Sequence, residues 1–334
     1  MSDRLPSFTR RLPLSSERHP TRGQPRLGHR IAALARAYSG RRPRTWVITD
    51  SAAGLSEEVV ASYRGYLSVV PMHVTVGGQV YNDGDPDLQR ALAMGFALGQ
   101  SVSTSRPAPG KFREAYDHAV ENGAERIIVI TMAGRLSNTA DSARLAAEQC
   151  TVEVDVIDSC SAGFGQALAV VSAADAAMTS RDTIEAAERA MGSHIWLTVP
   201  SLDALRKGGR VTLAASVLGN LLNIRPILRF DAAGSISVLD RIRHTDRALT
   251  RIAELGIEHA TGAAPGDVQV AVQHFAAEEA AIEVADALEP HTSWPVTISP
   301  LPSVLAAHCG PGAIGLVVHR VVHESNPGNQ NLDN

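Results

Sequence analysis

Arg126-Ile-Ile-Val-Ile-Thr131, followed through Met132-Ala-Gly-Arg-Leu-Ser-Asn-Thr139 by the alanine-rich run Ala140 to Gln149, is the stretch on which the fold turns. Four consecutive apolar β-branched residues predict a strand buried on both faces, and the hydroxyl-rich connection with a long alanine-rich segment behind it predicts a helix start. The same pattern stands at Thr45-Trp-Val-Ile-Thr49, which ends on Asp50-Ser51 before a helix opening near Ser56-Glu57-Glu58. It stands again at Val152 to Ile157, which ends on Asp158-Ser159 before an alanine-rich helix. Three strands that each feed a helix predict a parallel sheet covered on both faces, because parallel neighbours need crossovers. Ligands of such sheets lie beyond the carboxyl ends of the strands, here marked by Asp50-Ser51, Ser137 to Thr139 and Asp158-Ser159.

From about Ile195 the pattern changes to local pairing. Ile227 to Phe230, a turn at Ala233-Gly234 and Ser235 to Leu239 read as a hairpin. Val268 to Gln273, a helix from Glu278 to Leu288, Val296 to Ile298 and Ile314 to Val322 complete an α+β unit. The fold class is therefore α/β in two domains, an N-terminal parallel-sheet domain over residues 45–190 and a C-terminal α+β domain over 191–323. Extended Val69 to Val76 with the Gly77-Gly78 turn reads as an arm reaching the second sheet.

The chain has 334 residues and 44% hydrophobic content, enough for two cores. Its net charge of −4 opposes a wholesale nucleic-acid binder, and no nucleic-acid partner is expected. The charge is polarised, however: residues 1–44 hold eleven arginines and two acids, a net +9 against −13 for the remainder. This leader reads as a disordered extension, with a transit peptide, an arm for acidic surfaces or an upstream start as alternatives. Residues 324–334 read as a disordered tail. Cys150, Cys160 and Cys309 are too scattered for a disulfide framework or a zinc site, which fits a reducing, cytoplasmic setting, and no run is apolar enough to span a membrane. Neither metal nor cofactor is expected.

Thr104-Ser105 before Pro107, Ser137 and Thr139 before a helix, and His308 in His-Cys-Gly-Pro-Gly-Ala-Ile-Gly form a set of neutral donors suited to an anion. Hydroxyls and helix-start amides donate to a carboxylate or phosphate, and a turn such as Gly310-Pro-Gly312 lets main chain approach closely. Ser137 as a mere N-cap, Thr104-Ser105 as a plain loop and His308 as a structural histidine stay open at this point. Catalytic signatures are missing: there is no phosphate loop, no H-E-x-x-H helix and no nucleophile elbow. Asp50 and Asp158 are either an acid–base pair or caps of the helices that follow, the caps being favoured. Cys309 and His308, read as neighbours on an extended segment, point to opposite faces and make a poor thiolate–imidazole pair. Lys207-Gly-Gly-Arg210, with Arg241, Arg243 and Arg247, is either a positive surface or a set of solvated helix-end charges.

These blocks, in order, resemble the bacterial DegV-like proteins, the fatty-acid-binding subunits of fatty acid kinase. The resemblance runs from about Val47 to Val318. It rests on Ile48-Thr49-Asp50-Ser51; Thr104-Ser105 with Pro107 and Pro109; Leu136-Ser137 with Thr139; Val156 to Ser159; Leu202 through Lys207-Gly-Gly-Arg210; Leu222 to Pro226; and His308 through Gly312. It implies a carrier without catalytic residues of its own, holding a long-chain fatty acid in a tunnel between the domains and presenting it to a separate kinase subunit that makes an acyl-phosphate. It places the carboxylate on Thr104, Ser137 and His308, with Ser105, Arg106, Asn138, Thr139, Gly310 and Gly312 as the supporting head-group loops. Arg210 and Arg243 become candidates for the kinase-facing surface, and a transient membrane contact belongs to the same picture. Three departures stand out, since the family usually has Gln at Arg106, Ser at Ala108 and Gly at Asn138. Arg106 adds a charge to the presumed head-group site, and Asn138 is read as preserving a left-handed turn that glycine would make. Rival readings are a phosphotransferase or hydrolase using Asp50 and Asp158, and a regulatory anion- or lipid-binding module.

Overall fold

The computed structural model describes residues 45–210, 224–261, 267–292 and 295–321. The Arg-rich leader, the C-terminal tail and the part of the block after Arg210 that runs to Asn223 lie outside the described residues.

The first half runs β1 (Thr45–Asp50), a 3-10 turn (Ser51–Ala53), α1 (Glu57–Ser62), β2 (Leu67–Val70), β3 (His73–Val76), β4 (Gln79–Asn82), α2 (Leu88–Ala97), β5 (Val102–Ser105), α3 (Pro109–Glu121), β6 (Arg126–Thr131), α4 (Thr139–Ala147), β7 (Glu153–Asp158), α5 (Phe164–Met178) and α6 (Thr183–Arg189). Strands β2-β1-β6-β7 form a wholly parallel sheet. Strand alternation sends Trp46, Ile48, Ile127 and Val129 to one face, against Phe112 and Tyr116 of α3 and Ala143 of α4. Val47, Ile128 and Ile130 go to the other, against Val170, Ala173 and Ala174 of α5. Helix α5 is buried on nearly every side, and Asp175 within it accepts from the Tyr63 hydroxyl at 2.9 Å. That bond offsets the cost of placing a carboxylate in an alanine-rich packing layer.

The stretch expected to be an arm is divided by the structure. Leu67–Val70 becomes the edge strand β2 of the parallel sheet, and His73–Val76 forms a separate antiparallel sheet, β4-β3-β5. Gly77 and Gly78, both at positive φ, close a tight hairpin that occupies one edge of β3 with β4 while β5 takes the other. With both edges paired, β3 has nothing to offer the second sheet. The hairpin reaches that half of the chain through side chains instead.

The second half runs β8 (His194–Thr198), α7 (Asp203–Lys207), β9 (Arg225–Phe230), β10 (Ile236–Ile242), α8 (Thr245–Ala260), β11 (Val268–Phe275), α9 (Glu278–Leu288), β12 (Thr297–Pro300), α10 (Ser303–Cys309) and β13 (Ala313–Arg320). It makes a six-stranded sheet in the order β10-β9-β8-β13-β11-β12, antiparallel except where α9 links β11 to β12. The β9–β10 hairpin stands where its turn residues place it, with Gly234 at φ 78 and the Asp231 carboxylate accepting from Ala233 N and Ser235 N. Trp196, Val270, Val272, Leu316 and Val318 pack under Leu249, Ile252, Val284 and Leu288 of α8 and α9. Gly256 lets α8 approach closely, since a Cβ there would lie 2.8 Å from a Leu316 methyl. The alternate residues Ile195, Leu197, Gly315 and Val317 face the other way, toward the parallel sheet's loops.

Candidate functional site

Strand β6 ends at Thr131, and the loop that follows is held from below by carboxylates. Asp50 accepts from Met132 N at 2.9 Å, and Asp158 accepts from Gly134 N at 3.0 Å. Gly134 is required for this approach, because a Cβ would stand 2.6 Å from the Asp158 carboxylate. Asp50 also accepts from Ala52 N and from Gln166 Nε2, and Asp158 from Cys160 N. The favoured reading of these acids as caps of the succeeding α-helices is therefore corrected. Asp50 caps only the 3-10 turn, while Ser56 caps α1 and Gly163 precedes α5. Main-chain amides at the strand ends compete successfully for carboxylates that are already beside them. Neither acid lines the cavity described below, and burial pushes Asp50 up to about 6.

The anchored loop presents Ser137, whose hydroxyl lies 2.7 Å from that of Thr139. Opposite, the Thr104 hydroxyl of β5 is 2.8 Å from His308 Nε2. His308 occupies the last turn of α10, and the start of α10 is fixed by Asp83, which accepts from Ser303 N at 3.0 Å. Gln89 Nε2 adds bonds to Leu301 O and the Ser303 hydroxyl. Gly208 backs the imidazole, and a Cβ at that position would meet Nδ1 at 2.3 Å. Burial, and secondarily the Arg210 charge, push His308 down to about 4, so the ring is neutral near pH 7. Thr104, Ser137 and His308, named from separate parts of the sequence, thus border one cavity.

That cavity, about 190 Å³, lies between the anchored loop and the face of the six-stranded sheet turned away from α8 and α9. Ile195, Leu197, Phe230, Ile236, Gly315 and Val317 line one side; Met72, Met132 and Leu136 line another, and Leu301, Val304 and Leu305 a third. Apart from Gln273 on β11, the polar groups gather at one end. Arg106 and Asn138 are part of the lining there, as is Arg210. On the far side of Thr104 and His308 an open groove carries Ser101, Ser103, Ser201, Lys207 and Gly310, with Arg210 bordering both spaces.

Other sequence-named residues take different places. Ser105 is exposed and Thr139 buried, and neither lines the cavity; Thr139 meets it only through Ser137. Gly310 lines the groove, and Gly312 turns the chain into β13 with its carbonyl accepting from Arg225. The Gly310-Pro-Gly312 turn is therefore no cradle for the cavity. Arg243 is exposed and stands apart from both spaces. Asn138 has φ −81, so the left-handed turn expected there does not occur. His308 and Cys309 are helical, not extended, and successive helical residues are rotated by about 100°. Burial pushes the Cys309 thiol up to about 12, the opposite of nucleophile activation.

Sequence reasoning gave no role to Gln273, Asp83 and Gly315, and named Gly208 only as part of Lys207-Gly-Gly-Arg210. Gln273 is buried on the cavity side of β11, accepts from Phe164 N at 2.9 Å and ties α5 to the six-stranded sheet. Strand alternation puts Gln269, Ala271, Gln273 and Phe275 on one face of β11, and nothing local singles out Gln273 among them. The others act through space left or bonds made across long sequence separations, which leave no local pattern.

The match to known proteins is broad. The model of the DegV family COG1307 matches residues 44–321. A DegV domain-containing protein of Streptomyces coelicolor is 34% identical over 279 residues, covering 81% of this chain and 97% of its own. Among solved structures, a DegV family protein from Thermus thermophilus described for its fatty acid binding superposes with a TM-score of 0.75 at 25% identity, covering 83% of this chain and 99% of its own. DegV of Bacillus subtilis, described as a fatty acid binding protein, superposes with a TM-score of 0.72 at 26% identity over 83% of this chain and 99% of its own. With the family model spanning all of the described residues, this chain belongs to the DegV family.

Proposed function

We propose that this chain binds a long-chain fatty acid with its tail in the cavity and its carboxylate on Thr104, Ser137 and His308, and presents that head to a separate kinase subunit for acyl-phosphate formation. The observation that carries the reading is the segregation of the lining, apolar along the sheet face except for Gln273, with hydroxyl and imidazole donors beside two arginines at one end. At about 0.8 kcal/mol per buried methylene, a tail of about 15 carbons supplies up to roughly 12 kcal/mol before ordering costs, against about 1 kcal/mol for each neutral head-group hydrogen bond. The tail sets affinity and the head sets orientation. The fatty acid binding described for the Thermus and Bacillus relatives supports the same ligand class.

Asp50 and Asp158 are committed to loop amides away from the cavity, and the Cys309 thiol is held protonated, so neither the acid pair nor that thiol is placed for chemistry on a cavity ligand. The groove beyond Thr104 and His308, with Lys207 and Arg210, is the side from which a kinase subunit would reach the head group. Arg243 is a more distant candidate for the same contact. Mass spectrometry of the denatured, purified protein tests the ligand: a co-purifying fatty acid is expected, and its absence together with no uptake of added palmitate or oleate defeats the reading. Acyl-phosphate formation with a cognate kinase, lost in Arg210→Ala, tests the presentation step.

A further inference from the structure

The polar end of the cavity carries two guanidinium groups, both bonded to the loop that bears Ser137. Arg106 donates to the carbonyl of Asn138 at 3.4 Å, and Arg210 Nε donates to the carbonyl of Leu136 at 3.1 Å. These carbonyls belong to the residues before and after Ser137, so both cations are held on the loop that carries the Ser137 hydroxyl. Both side chains line the cavity, and neither pairs with a carboxylate among the described residues. Each guanidinium has five N–H donors. Arg210 spends a second one on Gly208 O, whereas Arg106, exposed and held by a single long bond, keeps most of its donors for a ligand.

A carboxylate brings one charge and two oxygens to this pair of cations. A phosphate monoester brings close to two charges and three terminal oxygens, and the guanidinium fork matches it. We propose that the cavity mouth prefers a single-chain amphiphile with a phosphate monoester head over a fatty acid of equal tail length, and that Arg106 is the residue that sets this preference. The inference rests on the reading of the cavity as a lipid site. The phosphate can be joined directly to the chain or through glycerol; both present the same chemistry to Arg106 and Arg210.

The test is the dissociation constant of palmitate, hexadecyl phosphate and 1-palmitoyl lysophosphatidate on the full chain, wild type and Arg106→Gln, at about pH 7.5 and at low and high ionic strength. Hexadecyl phosphate, lysophosphatidate or both should bind about tenfold more tightly than palmitate at low salt, with the ratio shrinking as salt screens the exposed cation. In Arg106→Gln the ratio should fall to within about twofold, and a ratio, unlike an absolute affinity, is insensitive to a general loss of folded protein. Preference for one phosphate ligand over the other identifies the linkage. Palmitate binding with a phosphate-to-carboxylate ratio of one or less, or a ratio that Arg106→Gln leaves unmoved, overturns the inference while leaving the fatty acid reading intact. Failure of all three to bind overturns both.

Discussion

The four-stranded parallel sheet carries helices on both faces, α3 and α4 on one and α5 on the other, whereas the helices α8 and α9 cover a single face of the six-stranded sheet. The first sheet has no free face to give and contributes to the site only through loops beyond its strand ends, where Ser137 stands. The second contributes a face that the start of α5 and the loops cover only in part, with Ile195, Leu197, Gly315 and Val317 as a floor. Polar donors and apolar floor thus come from different sheets, and the cavity exists because the two kinds of surface meet without filling each other. A parallel sheet needs crossovers on both faces, but an antiparallel one does not, so one face of the second sheet was available for a ligand.

The sharpest way to break this comparison is to fill the floor. Gly315 has ordinary strand backbone, and a Cβ there would meet its nearest neighbours at 3.8 Å, so Ala fits and a larger side chain projects into the cavity. Gly315→Phe should displace about five methylenes, roughly 4 kcal/mol or about a thousandfold in long-chain affinity, while a short-chain acid is affected far less. Titration with acids of graded length checks it. Undiminished palmitate affinity in a folded Gly315→Phe protein would mean that the sheet face does not receive the tail.

Next in size is the anchoring of the polar loop. Asp50→Ala strands the amides of Met132 and Ala52 and the Gln166 side chain in a buried place, and should lower stability by about 3 kcal/mol, read from the shift of the urea midpoint. An unchanged midpoint would show that the parallel sheet holds its loop by other means. A change of similar size but gradual onset is expected at His308. Its folded pKa of about 4 lies below the ordinary 6.5, so the unfolded chain takes up protons first, and the contribution of the neutral ring, full above 6.5, is lost as pH falls toward 4. Asp50 and Asp83, both raised to about 6, act with the opposite sign, gaining stability as pH falls from about 6 toward 3.8. The stability difference between wild type and His308→Gln isolates the histidine. It should fall by on the order of 3 kcal/mol between pH 6.5 and 4, and a flat difference would show that the ring is not buried neutral.

The smallest effect expected is at the head group. Ser137→Ala should cost about 1 kcal/mol, near fivefold in fatty acid affinity, because a neutral hydrogen bond replaces one to water. It should impair acyl-phosphate formation with a kinase subunit more than binding, since the head group loses its orientation. Equal turnover in wild type and variant would remove Ser137 from the head-group set.

The order of strands and helices was legible because β-branched runs and alanine-rich helices announce themselves locally, as at Arg126 to Gln149. Thr104, Ser137 and His308 were legible as a set through their place in ordered motifs. Their meeting was not, because the bond between Thr104 and His308 spans 204 residues and depends on α10 being pinned by Asp83 and given room by Gly208. The hairpin at Gly77-Gly78 was visible, but which sheet β3 joins depended on both of its edges being taken by β4 and β5. The role of Asp50 and Asp158 was misjudged for the same reason, since a carboxylate at a strand end cannot announce which neighbouring strand's amides it will meet.

By itself, then, the chain's order of apolar runs and hydroxyl-bearing connections determined the class of architecture, the family and the chemical type of the candidate donors, because each rests on periodicity or motif within a few tens of residues. Tertiary structure alone decided that a hollow exists, that one sheet face is left partly uncovered to line it, and that two arginines reach the carbonyls next to Ser137. Those properties depend on the packing of surfaces far apart in the chain, where a single Cβ at Gly134 or Gly208 would close the approach.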